Sequence, residues 1–199
     1  EYLKALRDIA DEFGLLLLFD EVQTGIGRTG TLYAYQWSGI APDILASAKG
    51  LGGGFPIGAC LAVEKVAAAM NAGSHGSTFG GNPMAMAAAN AVLDIVLAPG
   101  FFEHVKNRGK RLRKGLEGLV KKHPTQLVEV RGIGLMQGVK CTGDSSALIK
   151  KAIENGLLTV PAGDNVCRLV PPLIVEDTHI DEAVGLLDQA ISEIAEKAA

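Results

Sequence analysis

The segment Leu15–Phe19 most constrains how this chain can fold, because it is an uninterrupted apolar run, LLLLF, followed by Asp20 and Glu21. A run this short and without alternation predicts a strand buried on both faces, as in a parallel sheet with helices on either side. Open sheets of this kind bind ligands at the carboxyl ends of their strands. The run therefore predicts an α/β fold with Asp20 at a ligand-binding edge.

Other segments supply the remaining elements of such a sheet. We predict an amphipathic helix that ends at Gly14, strands at 44–48 and 57–63, and a short helix at 66–72. The Gly- and Ser-rich stretch 73–82 predicts an ordered loop. Asn82 and Pro83 then predict the start of an alanine-rich helix that runs to about Leu97, since Asn is a favoured cap and Pro suits the first helical turn.

From Phe101 the elements become shorter and more charged. We predict helices at 101–122, 145–155 and 179–196, and strands near 127–132, 134–140, 157–160 and 166–170. The chain is thus predicted to hold two domains. Residues 1–98 form an incomplete part of a large α/β domain with a connecting helix, and residues 99–199 form a small α+β domain.

Composition narrows the class of protein. Hydrophobic residues make up 48% and charged residues 21%, which is typical of a globular protein, and the net charge of -3 gives no reason to expect nucleic acid or a membrane as partner. No apolar run reaches the length of a membrane span, and no signal peptide is visible. The three cysteines are far apart and lack metal-ligand spacing, so we expect reduced thiols, no metal and a cytoplasmic protein. Because Glu1 lies within a helical pattern, we also expect sequence upstream of it.

Lys49 follows Asp20 by 29 residues and ends the next predicted strand. Neighbouring parallel strands would bring both side chains to the same edge of the sheet. Taken separately, Asp20 could be an acid that surfaces at a strand end, and Lys49 could be a solvated loop lysine.

Two glycine-rich segments suggest phosphate or nucleotide binding. Residues 25–30, GIGRTG, match the dinucleotide pattern GxGxxG, but the aromatic, turn-rich stretch 32–42 does not predict the helix that this pattern requires, so we interpret the match as accidental. Ser77 and Thr78 lie in a loop that leads into a helix, an arrangement that suits a phosphate. A polar turn before a capped helix remains the alternative.

Taken together, four segments resemble the class III (ornithine-type) aminotransferases of pyridoxal phosphate (PLP) fold type I. They are DEVQTGIGRTG, PDILASAKGLGGGFPIGA, HGSTFGGNP and RLVPPL, in that order along the chain. The resemblance covers essentially the whole chain and is strongest to the acetylornithine-using members. It implies part of a fold type I large domain followed by the small C-terminal domain.

The resemblance also implies a role for each matching residue. Lys49 would carry PLP as a Schiff base, and Asp20 would pair with the pyridine nitrogen. Val22 would pack on the ring, Gln23 would bind its phenolic oxygen, and Arg168 would bind the substrate carboxylate. Ser77 and Thr78 would contact the phosphate, Thr78 that of the neighbouring subunit, which implies a homodimer with a shared active site.

The activity implied is transfer of an amino group between N-acetylornithine and 2-oxoglutarate, as in arginine biosynthesis. Ornithine or 4-aminobutyrate aminotransferases are the alternative enzymes, and a non-catalytic fragment or assembly module of the same fold is the alternative from another class. The family segments that bind the phosphate within one subunit, stack on the second ring face and pair with Arg168 have no counterpart in the 199 residues. We therefore expect this chain by itself to be inactive.

Overall fold

The computed structural model describes residues 1–198 and divides the chain into two compact units, Glu1–Phe102 and Glu103–Ala199. Each unit contains its own β-sheet. The division falls shortly after the boundary predicted between residues 98 and 99.

The first unit has a three-stranded sheet with helices before and after it. The helices are α1 (Tyr2–Glu12), α2 (Glu64–Ala67) and α3 (Pro83–Val96), and the strands are β1 (Leu18–Asp20), β2 (Ile44–Ser47) and β3 (Ala59–Ala62). Strands β1 and β2 are parallel, whereas β3 is antiparallel to β2. Two short 3₁₀ turns, Ala34–Ser38 and Lys49–Gly52, follow β1 and β2 in the chain.

The prediction that the apolar run is buried on both faces is wrong for this chain. Leu16 and Leu18 are each 56% exposed, and every residue of β3 is exposed. Only the central strand is well covered, with Leu45 and Ser47 buried. The physical reason is that β1 and β3 are both edge strands, and the described residues cover little of the face that Leu18 shares with Ile44 and Ala62.

Helix α2 both begins and ends earlier than the predicted 66–72. Val63 has an extended backbone and Glu64 occupies the first helical turn, where an acidic side chain is favourable. The helix therefore starts at the acid that precedes the alanines and not at the alanines themselves.

A small apolar cluster holds the first unit together. Ile26, Leu51, Ala89 and Val96 are buried in it. Helix α3 contacts the Lys49–Gly52 turn, and a side chain at Gly53 would lie 2.8 Å from Val92 Cγ2. The cluster therefore fixes the turn that follows β2.

The second unit is an antiparallel sheet packed with three helices. The helices are α4 (Phe101–Lys122), α5 (Ser146–Glu154) and α6 (Asp177–Ala198), and the strands are β4 (Leu127–Ile133), β5 (Met136–Cys141), β6 (Val160–Ala162) and β7 (Val166–Leu169). The strand order is β4-β5-β7-β6, with all neighbours antiparallel. This arrangement confirms the predicted α+β fold.

The second unit has a dense core. Its least exposed large side chains include Val105, Leu116, Leu135, Val139 and Leu187, all at 0%. Cys167 is equally buried, and burial raises the pKa of its thiol to about 11. Such a thiol packs as a small apolar group and is a poor nucleophile at neutral pH.

Gln137 ties helix α4 to the β4–β5 hairpin. Its side-chain amide donates hydrogen bonds to the backbone oxygens of Gly109 in α4 and Gly134 in the turn. A side chain at Gly109 would lie 2.5 Å from the oxygen of Gly134, so only glycine permits this contact.

Of the described helices, none is by itself long and apolar enough to span a membrane. The consecutive helices Pro83–Val96 and Phe101–Lys122 meet the length and composition criteria only when taken together.

Candidate active site

Asp20 and Lys49 lie at the same edge of the first unit's sheet. Strand β1 ends at Asp20, whose Cα pairs with that of Ala46 in the parallel strand β2, and Lys49 follows the end of β2. The structure thus confirms the predicted parallel pairing. Both residues are exposed, so a carboxylate and an amine are accessible at the carboxyl ends of adjacent strands.

Lys49 has an unusual backbone conformation. Its φ is +47°, in the left-handed region that non-glycine residues rarely adopt. Such a conformation costs on the order of 1 kcal/mol, and strained residues of this kind cluster at functional sites. Hydrogen bonds from Leu51 to Ala48 and from Gly53 to Gly50 hold the turn. Nothing in the spacing of the sequence indicated this strain.

The Asp20 carboxylate is oriented by its own backbone neighbourhood. Its Oδ1 accepts a hydrogen bond of 3.0 Å from the N–H of Val22. The next peptide is also fixed, since the N–H of Glu21 donates to the oxygen of Ala46 at 2.9 Å. One carboxylate oxygen is therefore engaged in local structure, and the other can accept a hydrogen bond from a ligand.

Glu21 is the residue that sequence reasoning missed. It is only 3% exposed, and its carboxylate accepts hydrogen bonds from the N–H groups of Ala34 (3.0 Å) and Tyr35 (2.8 Å) and from the Thr24 hydroxyl. These bonds tie the turn after β1 to the Ala34–Ser38 turn. The only signal in the sequence was a second acid beside Asp20, and adjacency did not reveal that the acid is buried.

The GIGRTG segment has a packing role. A side chain at Gly25 would lie 2.8 Å from both the Glu21 oxygen and Tyr33 Cδ1. Gly27 and Gly30 have positive φ, as does the buried Ile26. No helix starts at these glycines, which supports the interpretation that the match to the dinucleotide pattern is accidental.

Ser77 and Thr78 lie in the exposed loop before α3. The predicted cap of that helix is confirmed, because Asn82 Oδ1 accepts a 2.9 Å hydrogen bond from the N–H of Ala85, and Pro83 follows it. The amide of Asn82 also donates to the oxygen of Phe79 at 2.8 Å, which shapes the loop. The two hydroxyls are thus accessible ahead of a helix N-terminus.

Arg168 lies in the second unit, on strand β7, where it pairs with Gly138 of β5 and Val160 of β6. It lines an apolar cavity of about 680 Å³ together with residues of α4, β6, α6 and the Pro171–Pro172 segment. Gly138 is required beside it, since a side chain there would lie 3.0 Å from the Cα of Arg168 and 2.6 Å from the oxygen of Cys167. Sequence reasoning found the arginine and missed this glycine.

The residues of the first unit fit PLP. An accessible lysine amine suits the aldehyde of the cofactor, and an accessible carboxylate suits a protonated pyridine nitrogen. The two groups follow adjacent parallel strands, and half-buried Val22 and Gln23 come directly after Asp20. Within residues 1–198, no group of three or more His, Cys, Asp or Glu side chains is placed to hold a metal ion.

Comparison with known proteins adds independent observations. The family model described as Aminotransferase class-III matches residues 1–191. Acetylornithine aminotransferase 1 of Bradyrhizobium diazoefficiens is 54% identical over 194 residues, which are 98% of this chain and 48% of that protein. The chain spans about half the length of the curated relatives it matches.

Solved structures agree with these sequence matches. The acetylornithine aminotransferase from Elizabethkingia anophelis superposes with a TM-score of 0.88 at 36% identity, covering 96% of this chain and 49% of the other. The ornithine aminotransferase from Toxoplasma gondii gives a TM-score of 0.90 at 32% identity, covering 98% of this chain and 48% of the other.

Proposed function

This chain belongs to the class III aminotransferases, and we propose that it provides the lysine, the pyridine-binding carboxylate and the substrate-binding arginine of a PLP-dependent transaminase. The observation that carries the proposal is the placement of Asp20 and Lys49 at the ends of two adjacent parallel strands. That placement brings an acid and an amine to one edge of the sheet. PLP requires both, because its ring carries a pyridine nitrogen on one side, which suits the acid, and an aldehyde on the opposite side, which suits the amine.

PLP, when bound, supplies an aldehyde that accepts the amino group and a ring that withdraws electrons from the reacting carbon. Lys49 would hold the cofactor and, once released by the incoming amine, would move a proton between the substrate carbon and C4′ of the cofactor. Asp20 would keep the pyridine nitrogen protonated, because an adjacent negative charge favours the charged form of the ring.

The other proposed contacts position the cofactor and the substrate. Val22 would pack on the ring, and Gln23 would donate a hydrogen bond to its phenolic oxygen. Ser77 and Thr78 would contact the phosphate. We propose that Thr78 does so in the neighbouring subunit of a homodimer, which the exposure of its loop supports. Arg168 would bind the substrate carboxylate, a pairing for which a planar guanidinium is suited.

For the substrates, we propose N-acetylornithine and 2-oxoglutarate. The support is that the relatives, which are 50–54% identical over nearly the whole chain, are named acetylornithine aminotransferase. Ornithine is the second candidate, because an ornithine aminotransferase superposes as well as the acetylornithine enzyme does. We expect the protein to act in the cytoplasm.

Borohydride reduction of the full-length protein loaded with PLP tests the proposed cofactor site. Reduction fixes the cofactor to the amine that holds it, and peptide mapping then identifies the labelled residue. We expect the label on Lys49. A label on another lysine, or none, would contradict the proposal.

A side-by-side assay with acetylornithine, ornithine and 4-aminobutyrate as donors tests the substrate. We expect the highest kcat/KM with acetylornithine and 2-oxoglutarate as acceptor. The same assay on the 199 residues alone is expected to show no turnover. Turnover by these residues would show that the half of the relatives' length that they do not cover is dispensable for activity.

A further inference from the structure

We propose that Glu21 is a positioning residue, which sets the orientation of Asp20, Val22 and Gln23 toward the cofactor without touching it. The inference rests on the proposed function, since the three residues that it positions are the proposed cofactor contacts. Its own support is the hydrogen bonding around one buried carboxylate.

The backbone N–H, the backbone carbonyl oxygen and the carboxylate of Glu21 all make hydrogen bonds. Its N–H donates to the oxygen of Ala46, and its carbonyl oxygen accepts from the N–H of Gly25 at 2.9 Å. Its carboxylate accepts from two backbone N–H groups, those of Ala34 and Tyr35, and from the hydroxyl of Thr24. The residue thus joins β2, the turn after β1 and the Ala34–Ser38 turn.

The proposed ring contacts lie inside the loop that these bonds close. Val22 and Gln23 are the two residues between Glu21 and Thr24, so the bonds from Gly25 and Thr24 back to Glu21 fix the turn in which they sit. Val22 in turn donates to Asp20 Oδ1, so the orientation of that carboxylate depends on the same turn. Gly25 permits the closure because a side chain there would collide with the Glu21 oxygen and with Tyr33.

A glutamine cannot replace this carboxylate. It has one acceptor oxygen where three donors converge, and its NH₂ group would face donors. Hydrogen bonds to a buried charged group contribute more than neutral ones, and a donor left without an acceptor costs further free energy. We therefore expect Glu21→Gln to loosen the turn. Asp20, Val22 and Gln23, the proposed cofactor contacts, are all still present in this variant.

The test uses the full-length protein and three variants: Glu21→Gln, Thr24→Val, which deletes one of the three donors, and Thr24→Ser, which keeps the hydroxyl. Glu12→Gln, an exposed acid at the end of α1, is the matched control. The measurements are the dissociation constant for PLP and the pH midpoint of the visible absorption of the PLP-loaded protein. Hydrogen exchange of the amides of Ala34 and Tyr35 is measured without PLP.

We expect Glu21→Gln to weaken PLP binding about tenfold, to shift the pH midpoint and to speed amide exchange at Ala34 and Tyr35. Thr24→Val should act in the same direction by less, and it keeps the test decisive if Glu21→Gln does not fold. Thr24→Ser and Glu12→Gln should behave as wild type.

Two outcomes would overturn the inference. Faster amide exchange with an unchanged PLP dissociation constant and pH midpoint would show that Glu21 has a structural role alone, while the proposed function stands. Failure of the wild-type protein to bind PLP at Lys49 would overturn the proposed function and this inference with it.

Discussion

The two units of this chain reach their structures by different means. In the second unit a closed apolar core fixes the sheet, with side chains such as Leu116 and Leu187 at 0% exposure. In the first unit the apolar cluster is small and the edge strands are exposed. There the turn after β1 is fixed by backbone hydrogen bonds to one buried acid, Glu21, whereas the apolar cluster fixes the turn after β2. The comparison shows that the backbone around Asp20, Val22 and Gln23 is determined by polar contacts to Glu21, whereas the sheet of the second unit is determined by packing.

Polar contacts also differ between the units. In the second unit, arginines and a lysine of α4 pair with acids of α6, including Arg108 with Asp177 and Lys122 with Asp188. In the first unit the part-buried pair Arg7–Asp43 joins α1 to the segment that enters β2. Most of these ion pairs are exposed, and each contributes little to the free energy of unfolding. The apolar core is therefore the main difference in stabilisation between the units.

The largest effect should come from the first unit. We expect Lys49→Ala to lower kcat of the full-length protein at least about a thousandfold, because it removes both the amine that holds the cofactor and the proposed proton carrier. Steady-state kinetics on the PLP-loaded protein measure it, with the exposed Lys65→Ala as control. Residual activity within tenfold of wild type would contradict the proposed role of Lys49, and with it the assignment of the cofactor-binding amine to the first unit.

The next prediction concerns the core that distinguishes the second unit. Leu116→Ala should lower the free energy of unfolding by about 3 kcal/mol, because it leaves a cavity at a fully buried position. A control substitution at an exposed position, Ile95→Ala at 60% exposure, should change it by less than about 0.5 kcal/mol. Urea titrations of the two variants provide the measurement. Equal losses would show that Leu116 does not make the stabilising core contacts that its burial indicates.

Arg168 in the second unit should affect substrate binding more than the chemical step. We expect Arg168→Lys to raise KM for both carboxylate substrates about tenfold with a smaller change in kcat, since a lysine cannot form the bidentate pair. Kinetics with acetylornithine and 2-oxoglutarate test this. A loss confined to kcat would show that Arg168 acts in the chemical step and does not bind the substrate carboxylate.

The smallest effect is a pH dependence in the first unit. The backbone N–H of Leu17, followed by the Arg7 guanidinium, lowers the pKa of the Asp43 carboxyl. A lowered pKa in the folded state adds stability above the ordinary carboxyl pKa of about 3.9, and this stability is lost as the pH falls through the folded-state value. Asp43→Asn should therefore destabilise the protein near neutral pH, and its difference from wild type should shrink in acid.

Urea titrations of Asp43→Asn between neutral and acidic pH measure this difference. The exposed Asp8, which pairs with Lys4 one helical turn away, provides the control variant Asp8→Asn. A difference from wild type that stays constant with pH would mean that the charge of Asp43 does not contribute.

The sequence by itself determined the order and type of nearly all elements, because helical periodicity, caps and glycine turns are local. The Asn82–Pro83 start of α3 and the antiparallel unit after Phe101 are examples. It also predicted that Asp20 and Lys49 share one sheet edge, since a parallel pairing of consecutive strands places their ends together.

Only the tertiary structure decided the burial and the local geometry. The exposure of Leu18, the left-handed backbone of Lys49 and the buried carboxylate of Glu21 depend on which segments pack against each other. The sequence of an apolar run does not show whether other segments of the fold cover it. An acid shows no sign in the sequence of the distant N–H groups, here those of Ala34 and Tyr35, that will bind it.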